Sequence, residues 1–365
     1  GNHILIKCRD DYFRYDKNAN TNKILYAFCK NYYIIRYNSF RFDNIINNDK
    51  TIAALRFFLK NIFGFDDFRP KQVEIIISGF NKKIGTIGLL PTGSGKSICF
   101  QLVSLLTPGV SIVISPLRVL MDDQCNNLLE RNCINAFLIN SDTKEIVPDF
   151  NPGTTIKIDN RENIGALINL NTKILYISPE RFLNEAFCDF IKKNINILGN
   201  IAIDEVHCLS EWGHDFRTSY LLIFRILKDL KINDEVLLIG TSATSSPRVT
   251  EDIISEFKTL KSDVHVIKGT SLKRSELFFD IVKVDNDKAA IKELRRQYAE
   301  DMEGRRKILI FAAFASDAPI YCEDLSQVPF ITRNGVRRNT VYPYTGKMHD
   351  KEKNDTYNDY KHGKI

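Results

Sequence analysis

Apolar runs in this 365-residue chain are short: Ile75-Ile76-Ile77 and Ile112-Val113-Ile114 each break after three residues, where a membrane-spanning helix needs about 20. No basic-then-apolar leader opens the chain, and Gly1 in place of Met points to a processed or engineered start. Neither a membrane nor an export route is therefore expected, and the expected location is the cytoplasm, including the nucleoid or nucleus. The eight cysteines include no C-x-x-C pair, which removes a zinc ribbon from consideration. Tryptophan occurs once. Neither sign of charge dominates: 51 basic against 45 acidic residues leave a net charge of +6. That excess favours a polyanionic partner only mildly. Internal repeats and low-complexity tracts are also lacking.

What is present is an ordinary globular composition, 44% hydrophobic and 26% charged, in a chain long enough for two cores. Residues 1–50, rich in Asn, Tyr, Phe and Lys, form an N-terminal extension with no mechanistic motif. Over residues 51–272, β-branched runs at 84–90, 110–114, 173–177, 200–204 and 235–239 alternate with helix-length stretches. That rhythm predicts an α/β fold with a parallel sheet covered on both faces. Ligands bind such sheets at the loops that follow the strands. Residues 273–365 read as a second, partial unit, with a charged helix at 287–303 and strands at 307–311 and 338–344.

Two loops carry chemistry. Leu90-Pro91-Thr92-Gly93-Ser94-Gly95-Lys96-Ser97 follows one strand run and precedes an apolar helix. Its glycines let backbone N–H groups curl around phosphate oxygens, and the helix N-terminus adds partial positive charge. In such a phosphate-binding loop Lys96 reaches the β and γ phosphates of ATP and the Ser97 hydroxyl holds Mg²⁺. Asp204-Glu205-Val206-His207 ends another strand run. Adjacent acids at a buried strand tip call for a cation. Asp204 is the candidate Mg²⁺ holder and Glu205 the candidate base for the attacking water. His207, at fixed spacing from both, is a candidate relay.

The Asp-Glu-x-His box after such a loop resembles superfamily-two helicases, and Cys208-Leu209-Ser210-Glu211-Trp212-Gly213-His214-Asp215-Phe216-Arg217 resembles the aromatic-rich loop of RecQ helicases. Trp212 and Phe216 offer stacking surfaces for unpaired bases, and Arg217 offers charge. Phe63-Gly64-Phe65-Asp66-Asp67-Phe68-Arg69-Pro70-Lys71-Gln72 resembles the family's adenine-recognition motif, implying that Gln72 reads the adenine edge and Phe65 or Arg69 stacks on its ring. Segments 115–124 and 178–181 resemble those that grip the DNA backbone. Ser242-Ala243-Thr244 resembles the motif coupling hydrolysis to lobe movement, although capping of the next helix accounts for either hydroxyl, taken singly, nearly as well.

The resemblance implies a RecA-like ATP-binding lobe followed by a partial second RecA-like lobe. It implies a 3′–5′ DNA helicase, using ATP and Mg²⁺ on single-stranded or partly duplex DNA, in repair, recombination or defence. Tyr344-Thr345-Gly346 resembles an early second-lobe segment, but no later arginine-finger motif follows. The chain is therefore expected to be a piece of a longer enzyme and to hydrolyse ATP poorly by itself. Two alternatives stay open: an RNA helicase, which shares the acidic box and Ser-Ala-Thr, and a DNA-dependent ATPase subunit that binds nucleic acid without unwinding it.

Overall fold

In the computed structural model the described residues are 4–9, 32–37, 49–130, 136–139, 145–146, 156–157, 173–212, 217–232, 236–243, 245–269, 281–299, 309–312, 314–326, 330–331, 337–338 and 341–361. The chain divides into two compact units, residues 1–274 and 275–365.

The first unit contains β1 (Ile4–Arg9), β2 (Tyr32–Tyr37), α1 (Asp49–Phe58, continued by a π turn over Leu59–Phe63), α2 (Gln72–Gly79), β3 (Ile84–Leu89), α3 (Lys96–Leu106), β4 (Val110–Ile114) and α4 (Arg118–Glu130). There follow β5 (Ala136–Ile139), β6 (Glu145–Ile146), β7 (Ile156–Lys157), β8 (Ile174–Ile177), α5 (Pro179–Phe182), α6 (Glu185–Lys193) and β9 (Leu198–Ile203). It closes with α7 (Thr218–Asp229), β10 (Leu237–Ser242), α8 (Pro247–Lys258) and β11 (Asp263–Lys268). Residues 1–50, which carry no motif, nonetheless supply the antiparallel pair β1–β2.

Seven strands form one sheet in the order β11-β3-β10-β9-β4-β8-β5, and each neighbouring pair is parallel. The strand runs are nearly all apolar because both faces are covered. Alternate residues of one strand enter opposite cores: Val113, Tyr176, Ala202 and Ile239 pack with α1, α2 and α3, whereas Ile112, Ile177, Ile201 and Leu238 pack with α7 and α8. This two-sided burial leaves the carboxyl ends of the strands along a single edge. The loops after β3, β9 and β10 emerge there side by side, since β10 pairs with β3 on one flank and β9 on the other. Side-chain caps fix the helix starts: Ser178, Asn184 and Ser246 accept from backbone N–H groups three residues on, and Pro179 and Pro247 follow two of them.

The second unit holds α9 (Asp287–Ala299), α10 (Asp317–Ser326), β12 (Phe330–Ile331), β13 (Arg337–Arg338) and α11 (Asp350–Lys361), with β12 and β13 antiparallel. The strand expected at 307–311 is corrected: residues 309–312 carry no strand, and Leu309 and Phe311 are 65% and 87% exposed. The 338–344 stretch is corrected likewise, because 341–344 is irregular and only Arg337–Arg338 pairs. An apolar run becomes a buried strand only with paired neighbours on its edges and cover on its faces. Among the described residues of this unit no parallel partner lies beside either run. Among the described residues of the whole chain no helix is long and apolar enough to cross a membrane.

Candidate active site

The phosphate-binding loop joins β3 to α3. Gly93 and Gly95 adopt positive φ values of 80° and 78°, a region that glycine enters without a Cβ penalty. A Cβ at Gly95 would lie 2.7 Å from Gln72 Nε2, so a larger residue there would push the Gln72 amide aside. Lys96 opens α3 and Ser97 follows within the first turn. The Ser94 hydroxyl is buried without a hydrogen-bond partner.

Gln72 is buried, and its amide holds the loop. Nε2 donates to the carbonyls of Ser94 and Gly95, both at 3.0 Å, and Oε1 accepts from Arg69 N at 2.8 Å. Arg69 adds a bond from Nη1 to the Gly93 carbonyl. Both residues thus clamp the loop backbone, while Phe65 stands 43% exposed nearby in sequence. Replacing Gln72 with Ala would leave two loop carbonyls and one N–H without their partners. The expected result is a loss of about 1–3 kcal/mol in stability together with weaker ATP binding, measured by urea unfolding with and without ATP. An unchanged unfolding midpoint would contradict the clamp.

Across the sheet edge, β9 delivers Asp204 and Glu205. Asp204 Oδ1 accepts from Thr241 Oγ1 at 2.9 Å and from Glu205 N at 3.0 Å, and Oδ2 accepts from Gln124 Nε2 at 3.3 Å. Burial pushes its carboxyl above the usual range and the Glu205 charge adds to this, against Thr241, Lys96 and Gln124. Glu205 turns the chain sharply with φ 47° and ψ 47°. Its Oε1 lies 3.4 Å from Lys96 Nζ and its Oε2 3.3 Å from His207 Nδ1. Burial acts to raise the Glu205 carboxyl, but the His207 ring beside Oε2 and the charge of Lys96 outweigh it and hold it below its ordinary value.

His207 Nδ1 also lies 2.8 Å from Ser242 Oγ. This contact joins the end of β10 to the acidic box, so Ser242 is not the helix cap; Ser246 is. The Tyr220 hydroxyl, buried, donates to the Asp204 carbonyl at 2.9 Å. Arg217 reaches from the aromatic-loop end to the Pro116 carbonyl at 3.2 Å. Trp212 is 60% exposed, and the Arg248 guanidinium sits 3.5 Å above its ring centroid. Phe216 and Thr244 lie outside the described residues.

The structure therefore brings together Lys96, Asp204, Glu205, His207 and Ser242, with Gln72 and Arg69 behind the loop. Thr241, Gln124 and Tyr220 belong to the same cluster and carry no assigned role in the motif reading. Thr241 stands directly before the Ser-Ala-Thr string and Gln124 ends the 115–124 segment, which is the only signal the sequence offers for either. No group of three or more His, Cys, Asp or Glu among the described residues is arranged to hold a metal. The donor set instead suits an ion that brings phosphate oxygens and water with it.

The profile of the DEAD/DEAH box helicase family matches residues 69–253, just over half of the chain. The chain belongs to that family. It is 35% identical to the ATP-dependent DNA helicase RecQ of Bacillus subtilis over 235 residues, 64% of this chain and 36% of the relative. It is 33% identical to the RecQ-like DNA helicase blm-1 of Caenorhabditis elegans over 229 residues, 61% of this chain and 21% of the relative. The chain thus spans about a third or less of these curated relatives. Among solved structures it resembles S. cerevisiae Dbp5 bound to RNA and ADP BeF3, with a TM-score of 0.54, 15% identity, and coverage of 88% of this chain and 73% of that one. At that identity the likeness carries the fold alone, a RecA-like α/β architecture.

Proposed function

We propose that this helicase-family chain is the motor portion of a RecQ-type DNA helicase, in which ATP hydrolysis at Lys96, Asp204 and Glu205 drives 3′–5′ movement along single-stranded DNA. The observation that carries the reading is the 3.4 Å approach of Lys96 Nζ to Glu205 Oε1, which sets the phosphate loop and the acidic box on one site. Bound Mg²⁺–ATP supplies the anhydride to be cleaved and a cation that offsets developing charge. Thr92, Gly93, Ser94 and Gly95 offer the cradle, and the orphaned Ser94 hydroxyl fits a phosphate ligand. Ser97 and Asp204 hold the ion, and Lys96 neutralises phosphate charge. Glu205 accepts the proton of the attacking water, and His207 orients that carboxylate while linking it to Ser242. Gln72 acts on the nucleotide through the loop, and Phe65 and Arg69 line the base side.

Trp212, Phe216 and Arg217 contact DNA, a role supported by the exposure of Trp212 just seven residues after Glu205. Arg248 over that ring ties the loop to α8, which starts five residues after Ser242. Ser242 and Thr244 pass the state of the acidic box onward.

The test is ATP turnover with single-stranded DNA, with RNA of equal length, and with neither. DNA is expected to stimulate more; stronger stimulation by RNA would overturn the assignment, and turnover without strand displacement by the whole protein would favour a non-unwinding ATPase. Stacking of a base on an aromatic ring contributes about 1–3 kcal/mol. Trp212→Ala is accordingly expected to raise the DNA concentration for half-maximal stimulation about 5- to 150-fold.

A further inference from the structure

The two oxygens of Asp204 are not equivalent. Among the described residues, Oδ1 accepts two hydrogen bonds, from Thr241 Oγ1 and Glu205 N, whereas Oδ2 accepts one, the 3.3 Å bond from Gln124 Nε2. Oδ2 is thus the oxygen with capacity left for a cation. A carboxylate can only accept, so the Gln124 amide must present its nitrogen to Asp204. That orientation leaves Gln124 Oε1 buried with no hydrogen-bond partner. A buried amide oxygen beside a carboxylate lacks a donor, and neither Asp204 nor Glu205 can supply one when ionised.

Magnesium retains several of its waters when bound to proteins, and these waters are strong donors. Loss of a group that hydrogen-bonds to a metal's ligand typically lowers the metal's affinity about 10- to 100-fold. We infer that Gln124 is a magnesium-positioning residue, its Nε2 orienting Asp204 Oδ2 and its Oε1 accepting from a water of the ion's hydration shell. The inference rests on the proposed ATPase reading. It also gives α4 a second task, because Gln124 lies two turns along the helix that begins at Arg118, directly after the 115–117 loop that Arg217 touches through Pro116. A shift of α4 would change the hold on the ion.

The experiment measures binding of a fluorescent ADP analogue to the full chain in saturating magnesium and in EDTA. The ratio of the two dissociation constants is the coupling between ion and nucleotide. Gln124→Met, which keeps the side chain's length and loses both polar ends, is expected to lower that ratio about 10-fold or more while the EDTA constant stays as in the parent. A purely structural role would shift both constants together and leave the ratio alone. That outcome, or equal ratios in Gln124→Met and the parent, overturns the inference. If the parent itself shows no magnesium coupling, the ATPase reading fails and the inference with it. Thermal melting in EDTA accompanies each variant, and a Met variant that melts early is replaced in the comparison by Gln124→Leu.

Discussion

Glu205→Gln is expected to reduce ATP turnover by about 10²–10⁴-fold, the usual contribution of a positioned general base, while nucleotide binding persists. Glutamine matches glutamate in shape and can keep the left-handed turn at φ 47° and ψ 47°. It loses the negative charge that faces Lys96 at 3.4 Å and His207 at 3.3 Å, and with it the ability to take a proton. Those two neighbours hold the Glu205 carboxyl below its ordinary range, so it is ionised throughout the neutral region. Protonation, and loss of rate with it, sets in only as the pH falls through that lowered value. The share of the acid limb that Glu205 contributes is therefore expected below the normal glutamate range and is absent in the variant. Single-turnover hydrolysis together with equilibrium nucleotide binding separates the chemical effect from a binding effect. A variant that retains turnover within about tenfold of the parent assigns the base elsewhere.

The strands that position this site were readable because they are buried on both faces. Ile201-Ala202-Ile203 and Leu237-Leu238-Ile239 are apolar without a break, and the polar residues that follow each mark the sheet edge. Pairing order was not readable. That β10 lies between β3 and β9 follows from crossover connections, and no periodicity within a strand encodes it. Thr241 consequently carries no mark in the sequence beyond its place before Ser-Ala-Thr, although its hydroxyl holds Asp204 across the β9–β10 pair. Gln124 was hidden for the same reason, 80 residues from its partner in sequence. Gln72 shows a different limit: the motif names the residue, but only the fold shows that all three of its contacts go to backbone atoms of the loop and its entry. In the second unit, apolar runs were legible and their pairing was not. Leu309 and Phe311 are as apolar as any strand of the first unit, yet exposed, because hydrophobicity specifies what a segment can bury and not what lies beside it.

Asp204→Asn is expected to do two opposite things, to make the protein more stable in the absence of nucleotide and to remove magnesium-dependent hydrolysis. Asp204 is 4% exposed, and burial pushes its carboxyl up, with the Glu205 charge adding to the effect. A carboxyl whose folded-state value is raised binds more protons folded than unfolded, so stability falls as pH climbs from the ordinary aspartate value through the raised one. Above that window the cost of the buried charge is fully present. Asparagine removes it. Its Oδ1 keeps the bonds from Thr241 and the Glu205 N–H, and its Nδ2 can donate to Gln124 Oε1 once the Gln124 amide turns over, which moves Gln124 Nε2 into the position that has no partner in the parent. A gain of about 1 kcal/mol corresponds to about 2–4 °C in Tm for a unit near this size, and the gain is expected at neutral pH and to vanish in acid. An amide carries no charge to bind the cation, so turnover is expected to drop at least as far as in Glu205→Gln. The trade is characteristic of a site that holds a charge in readiness for a ligand. Calorimetry at neutral and acid pH decides it: a variant that melts below the parent at neutral pH would mean that the three hydrogen bonds to Asp204 already outweigh its burial.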